Sequence, residues 1–594
     1  LIILVFYFMA YMKRIITKYP NWAFWTCFLL LNWLIFLPVY LFFQEGSVFW
    51  PWQAERDWDV ATAVSAFFLQ RENLDIFRLN GELLLLVTAS VWIKPFRRGW
   101  FLGLALLLYL VQLVYAVYEG FIRSYYLLDP IFYNDIFLFS DGSHMVFNSL
   151  HFSPVQYVAG GLLLIGLVGV LFGLNRLLFV DIPAERLTVT TRLVLAGLGV
   201  SALVSVASLK GEVGGLETAV SSFTAKIGQN VLLSQTAKVA GDRFDSQYLA
   251  PYYEFTGQEL REKPDIYLIF LESYGSVLYK RADFYQTYIK LIGELEEQLD
   301  NDDWAVASTR SVSPTWGGGS WLSYTSTLAG LRLDSHAQYL ALFNRYLGKP
   351  FPHLTNYFRS QGYRSYRLSS NSDVLNDIEW QRNKNFYGID EWLRFPDLQY
   401  QGPLFGWGPS PPDQYALNYT YQYMNQASNA PHIFFFITQN SHYPWAPLPE
   451  VVSEWTTWND VLPTPLPLVQ RQPVEVMRQQ YLASIEYELT MVVDFIVKQA
   501  DDDDIFVLIG DHQPARVARY TDGYDTPVHI VSKDQELVDS FADYGFVPGL
   551  YTRSREPTIH HSGFYSLFMR VFLEQYGQDP ASLPDYWPDG VPLD

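Results

Sequence analysis

Five apolar segments crowd into the first third of this 594-residue chain, at about 22–43, 79–93, 99–118, 155–176 and 191–209, and then stop. A helical bilayer span needs ~20 apolar residues. The first, third and fourth segments meet that length. The second and fifth are short, and Ser and Gly also dilute the fifth, Thr191–Leu209. Core helices of a water-soluble protein are the alternative, but five such runs in one block followed by none argue for a membrane domain. Composition agrees: half the residues are apolar and 17% aromatic, beside 17% charged. A membrane part joined to a water-exposed part accounts for that mixture. Leu1–Tyr11 is apolar but too short to span, and Met12-Lys13-Arg14 after it reads as a natural start. The first eleven residues are therefore expected to be translated upstream sequence. No small-residue cleavage site follows the first long apolar run, which reads as an anchor and not a removable signal.

Basic residues flank alternate ends of these segments. Lys13, Arg14 and Lys18 precede the first, Lys94, Arg97 and Arg98 separate the second from the third, and Arg176, Arg186 and Arg192 separate the fourth from the fifth. The other loops carry Glu45, Glu55, Asp57, Asp59, Glu119 and Asp129. With positive residues inside, five spans place the N-terminus in the cytoplasm and everything after Leu209 outside it. The expected organisation is a transmembrane domain over 1–209, a linker with surface helices over 210–262, and an extracytoplasmic domain over 263–594. The formal net charge of −20 removes any attraction to a nucleic-acid backbone. A single cysteine, Cys27, excludes an intrachain disulfide and a Cys-based zinc site.

After Pro264 the pattern changes. Short apolar strands, Ile266–Leu271, His432–Thr438 and Ile505–Ile509, alternate with helical stretches at 283–299 and 475–498. That alternation predicts an α/β domain with a central, mostly parallel sheet. Ligands of such sheets gather beyond the carboxyl ends of strands. There the chain places Glu272-Ser273, Gly510-Asp511-His512 and Gln439-Asn440-Ser441-His442. Glu272, Asp511 and His512 form a mixed carboxylate–imidazole set suited to zinc or manganese. Upstream of a helical stretch lies Pro314-Thr315-Trp316-Gly317-Gly318-Gly319-Ser320-Trp321. Glycines ahead of a helix expose N–H groups to anions. A hydroxyl there is either a metal-activated nucleophile or simply a helix cap, at Thr315 or Ser320.

Together these residues resemble the alkaline phosphatase and sulfatase superfamily, and within it the lipoteichoic acid synthase and phosphoglycerol transferase branch. The strand-end Leu271-Glu272-Ser273, Thr315 ahead of a helix, Ser441-His442-Tyr443-Pro444, Trp380-Gln381-Arg382 and Gly510-Asp511-His512 match the branch's motifs in order. The resemblance implies five spans joined to an extracellular sulfatase-like domain. It implies one divalent ion on Glu272, Thr315, Asp511 and His512, manganese first, with zinc and magnesium as alternatives. It implies Thr315 as nucleophile, His442 as a substrate-facing acid–base group, and Trp380 and Arg382 on the phosphoglycerol group. The implied activity is transfer of glycerol phosphate from phosphatidylglycerol to a glycan or glycerol-phosphate polymer, through a covalent phosphothreonine, in the cell membrane. The chain departs from the branch in two places. Trp316-Gly-Gly-Gly-Ser320 replaces the usual Ser-Asp-Ser-Glu, and Asp373 stands near where a substrate histidine is expected. The Cys/Ser-x-Pro-x-Arg motif of true sulfatases does not occur. A phosphoethanolamine transferase, a phosphodiesterase and a non-catalytic membrane sensor are the competing readings. His560-His561 read as surface or capping residues, His336, His353 and His529 as structural, and Asp501–Asp504 as a solvated turn.

Overall fold

The structure, a computed structural model, describes residues 18–42, 77–97, 99–125, 130–136, 154–207, 219–241, 244, 249–371, 377–406, 408–466, 472–518, 522–552, 556–579 and 583–591. Leu1–Tyr11 and Asp373 lie outside them. The chain divides into two units, Leu1–Thr236 and Ala237–Asp594.

In the first unit all five apolar segments are helical: α1 Pro20–Phe42, α2 Gly81–Trp92, α3 Gly99–Tyr125, α4 Pro154–Arg176 and α5 Val189–Ala207. Among the described residues three stretches are long and apolar enough to cross a bilayer, Pro20–Leu41, Gly99–Arg123 and Val158–Asp181, whereas Gly81–Trp92 and Val189–Leu203 are shorter. A further helix, α6 Phe223–Gly241, begins late in this unit. Several buried polar groups pair with one another. Asn32 Nδ2 donates to the Arg78 carbonyl at 2.6 Å, its Oδ1 accepts the Asn80 N–H at 2.8 Å, and Asn80 Nδ2 donates to Gln112 at 2.8 Å. Glu82 accepts from Ser222 Oγ at 2.6 Å and from the Thr224 N–H at 2.9 Å, capping α6.

The second unit is built on one mixed sheet. Its strands are β1 Ile266–Leu271, β2 Ala305–Val312, β3 Arg364–Ser369, β4 Glu391–Arg394, β5 His432–Ile437, β6 Ile505–Gly510, β7 Asp525–Ser532, β8 Val547–Pro548 and β9 Ile559–His560. They lie in the order β8-β2-β7-β6-β1-β5-β3-β4, with β9 pairing β2. Helices α7 Ala282–Asp300, α8 Ser320–Ala329, α9 Asp377–Phe386, α10 Asp413–Ala427, α11 Val474–Gln499 and α12 Phe564–Tyr576 accompany it. Alternation along each strand sorts the core into two layers. Leu268, Phe270, Phe435, Val507 and Ile509 pack with residues of α8 and α12. Tyr267, Ile269, Phe434, Phe436, Phe506 and Leu508 pack with α7, α10 and α11. Helix α7 meets its layer through Phe284, Tyr288, Leu291, Ile292, Leu295 and Leu299, a spacing of three and four that lines one helical face.

The expected mostly parallel sheet holds on one side only. Strands β6, β1, β5, β3 and β4 are parallel to their neighbours within that set, but β7 runs antiparallel to both β6 and β2. Parallel return needs a crossover of a dozen or more residues, usually a helix. The 511–524 connection carries no α-helix among its described residues, so β7 turns straight back. The parallel half matters for function. Leu271 is paired with Gly510, and Phe270 with Ile437. Glu272, Asp511 and the 438–442 loop therefore leave three adjacent strands at the same end.

Candidate active site

The structure brings Glu272, Asp511 and His512 together. One ligand atom from each lies within 4.8 Å of the others, and all three residues are buried. His512 Nε2 stands 3.7 Å from Glu272 Oε1 and 3.5 Å from Asp511 Oδ2. Gly510 makes the turn: a Cβ there would collide with the Tyr274 carbonyl oxygen. Asp511 Oδ1 accepts the N–H groups of Ser273 at 2.8 Å and His512 at 2.7 Å, while Ser273 Oγ donates to Glu272 Oε1 at 2.8 Å. Ser273 adopts a left-handed φ of 59° to do this, a conformation costly for a residue with a Cβ.

These residues fit a divalent cation. Asp511 Oδ2 is enclosed and receives no hydrogen bond. Burial, with the Glu272 charge adding, pushes the Asp511 carboxyl up to about 7. Burial opposes a charge on His512, yet the Asp511 and Glu272 carboxylates outweigh it and raise its pKa. The pocket thus draws positive charge. His512 Nδ1 faces the Gln513 carbonyl at 2.9 Å. A carbonyl only accepts, so Nδ1 carries the proton and Nε2 presents its lone pair to the cluster, the arrangement of a metal-ligating histidine.

Besides Ser273, a second hydroxyl stands at this cluster, that of Ser320, between the carboxylate and the imidazole. Its Oγ lies 3.3 Å from Glu272 Oε2 and 3.2 Å from His512 Nε2. Ser320 is the first residue of α8, and Gly319 before it has φ 71°. That left-handed residue lets the loop deliver the helix start to the strand ends. Thr315, the residue expected here, is 3% exposed, and its Oγ1 donates to the Gly318 carbonyl. Thr315 braces the glycine loop, and Ser320 occupies the position anticipated for it. The physical reason is helix phase: the threonine precedes three glycines that turn the chain before the helix begins.

His442 feels the charges of His512, Asp511 and Arg516. Burial holds it down at about 4, so it is neutral at pH 7. Its Nδ1 donates to the Tyr443 carbonyl at 2.6 Å. The loop carrying it is clamped by Asp413, whose Oδ2 accepts the N–H groups of Gln439 at 2.6 Å and Asn440 at 2.8 Å. Arg516, which sequence reasoning missed, lies 4.0 Å over the Tyr443 ring. Its position four residues after His512 was the available signal. His561, expected at the surface, is 1% exposed and joins the Gly510 carbonyl (3.1 Å) to Ser311 Oγ (2.8 Å). Trp380 and Arg382 lie on α9. Arg382 donates to Asn344 Oδ1 at 3.2 Å and sits over Phe343, while Trp380 lies 6.5 Å from Trp392. Asp501 N–H bonds Asp504 Oδ2 at 2.9 Å, and Asp502 pairs with Lys533 at 2.8 Å.

The family model of the sulfatases matches residues 264–570. The chain belongs to the sulfatase family. No curated protein sequence matches it. Among solved structures, this sulfatase-family chain is similar to the lipoteichoic acid synthase LtaP from Listeria monocytogenes, at 13% identity over 57% of this chain and 80% of that one, with a TM-score of 0.36. It is similar to the Streptococcus pyogenes phosphoglycerol transferase GacH in complex with sn-glycerol-1-phosphate, at 13% identity, 57% and 85% coverage and TM-score 0.33. It is also similar to the C-terminal periplasmic domain of EcEptC from Escherichia coli in complex with Zn, at 11% identity, 53% and 84% coverage and TM-score 0.34.

Proposed function

We propose that this chain is a membrane-embedded, metal-dependent transferase that moves a glycerol-phosphate group from a phosphatidylglycerol donor to an extracytoplasmic glycan or polymer acceptor. The reading rests on one observation: a serine hydroxyl at a helix N-terminus, held 3.3 Å and 3.2 Å from a buried carboxylate and an imidazole. Glu272, Asp511 and His512 would hold the ion, manganese first. A bound divalent ion supplies positive charge that favours the serine alkoxide and offsets charge on phosphoryl oxygens. Ser320 Oγ attacks phosphorus, the Ser–O–P bond forms, and the P–O bond to diacylglycerol breaks, its oxygen leaving with a proton. The first N–H groups of α8 face the phosphoryl oxygens. In the second step an acceptor hydroxyl attacks and the Ser–O–P bond breaks. His442, neutral with its Nδ1 engaged by a carbonyl, uses Nε2 to take the acceptor's proton. Arg516 beside it is typed to hold a phosphate oxygen. In this reading five spans with the N-terminus inside would put this chemistry outside the cytoplasm.

The test uses the full chain in detergent with Mn²⁺ and labelled phosphatidylglycerol or phosphatidylethanolamine. Ser320→Ala is expected to cut diacylglycerol release at least ~10³-fold, the scale of losing a covalent nucleophile. Thr315→Ala should keep most of it. Equal release by wild type and Ser320→Ala sinks the nucleophile, and release from phosphatidylethanolamine alone reassigns the donor.

A further inference from the structure

The strand edge beyond β5 carries a second cationic group that the chemistry above does not use. Arg367 on β3 is paired with Phe435 on β5 and with Trp392 on β4. Partners in a parallel register point to one side of the sheet, and Phe435 lies in the layer beneath α8. Arg367 therefore points to the same side as Ser320. Its guanidinium carbon is 4.0 Å from the Trp392 ring centre, 4.7 Å from that of Phe435 and 5.3 Å from that of Tyr324. Tyr324 follows Ser320 by four residues, about one turn along the same helix face.

Arg367 is only 5% exposed, and its Nε and Nη1 are enclosed with no acceptor among the described residues. Aromatic faces attract a cation, but they do not replace the acceptors its N–H groups lost on leaving water. A buried guanidinium without an anion is costly. The same want recurs next to it. Arg394 Nε and Trp380 Nε1 are also enclosed donors without an acceptor. The Arg394 guanidinium lies 4.2 Å over the Trp380 ring, which neighbours Trp392. The carboxylate beside them, Asp377, stands 3.7 Å from Arg394 Nη1 and is 93% exposed. Four enclosed donor nitrogens with no acceptor partner among the described residues are complementary to an oxyanion, and two planar forks suit a phosphate.

We infer that Arg367 and Arg394, walled by Trp380 and Trp392, form a second anion subsite that takes a phosphate ester of the substrate other than the one attacked at Ser320. Naming that ester as part of a substrate rests on the transferase reading; the binding itself does not. The alternative is a purely structural cation–aromatic stack that pins β4 to the sheet, and such a stack shows no anion dependence.

The experiment uses the full chain in detergent carrying Ser320→Ala and Asp511→Asn, which disable the strand-end cluster. sn-Glycerol-1-phosphate is titrated in, followed by calorimetry and tryptophan fluorescence. Saturable binding at one site is expected, weakened at least tenfold by adding Arg367→Met and less by adding Arg367→Lys. Absence of saturable binding before Arg367 is touched, or affinity unchanged by Arg367→Met, overturns the subsite. Thermal melting checks the fold. If Arg367→Met does not fold, Arg394→Gln at the rim carries the test: severalfold weaker binding supports the subsite and unchanged affinity overturns it. A parallel arm compares phosphatidylglycerol with phosphatidylcholine vesicles. Arg367-dependent binding to the anionic vesicles supports a lipid headgroup as the source; dependence with the soluble ester alone supports a free or polymeric phosphate. Should Ser320→Ala release diacylglycerol like wild type while Arg367-dependent binding persists, the transferase reading falls and the subsite stands.

Discussion

The two units solve the same packing problem in opposite solvents. In the second unit the central strands are sealed: Tyr267, Leu268, Phe434 and Phe506 are each 0% exposed, and the long helices turn apolar faces inward. In the first, α4 leaves Leu162, Leu163, Leu164 and Ile165 60–66% exposed, while Asn32, Asn80 and Glu119 are 4% exposed or less. Water drives apolar groups inside in one unit. The other shows apolar residues outside and polar ones inside and paired, as expected where hydrocarbon is the solvent. Exposure alone therefore carries no meaning until the solvent is known.

That contrast can be broken by substitution. Phe434→Ala opens a cavity in a sealed core and should cost ~3–5 kcal/mol, read as a large fall in the melting temperature of the second unit. Ile165→Arg puts a charge on a surface that faces lipid in this reading. It should cost ~2.5–3.5 kcal/mol of insertion near a span centre, seen as loss of membrane-integrated protein. Normal insertion would remove α4 from the lipid-facing class. Glu488→Gln tests a buried acid pair in the second unit. Burial, then the Asp413 carboxyl, pushes Glu488 well above its ordinary range. A folded pKa raised in this way gives stability that is present at low pH and lost as pH rises through the folded value. The Gln variant should thus melt higher than wild type at pH 9, with the gap closing toward pH 5. Identical pH profiles would remove the coupling. Leu462→Arg, at a site 82% exposed in the second unit, should change stability by no more than about 0.5 kcal/mol, against the large effect of the same change in α4.

Much of the second unit was legible because its signals are local. Strand β1 was bounded as it stands, α7 and α11 differ from their expected ranges by a residue at each end, and Glu272 and Asp511 each follow a strand directly. The expected trio could be read because a parallel ladder aligns strand ends without further information. What could not be read depends on backbone angles or on distant pairing. Whether Thr315 or Ser320 faces the cluster is decided by φ 150° at Gly318 and 71° at Gly319, which apolar periodicity does not encode. The antiparallel half follows from β2 pairing with residues more than two hundred positions away. Arg367 looks like an ordinary strand residue until Trp392 and Phe435 close on it. In the first unit both helix identity and span length were legible among the described residues: the first, third and fourth segments are the long ones, and α2, ending at Trp92, and the apolar part of α5, ending at Leu203, are the short ones.

The pairing of Leu271 with Gly510 has a consequence for ion choice. Glu272 and Asp511 are the next residues on neighbouring strands, whose separation is fixed near ~4.8 Å by the hydrogen-bonded ladder. The main chain therefore sets the anchor points of the two carboxylates, and side-chain length sets their reach from those anchors. Shortening Glu272 to Asp would draw one carboxylate back by a methylene and widen the gap for the ion, while leaving the sheet untouched.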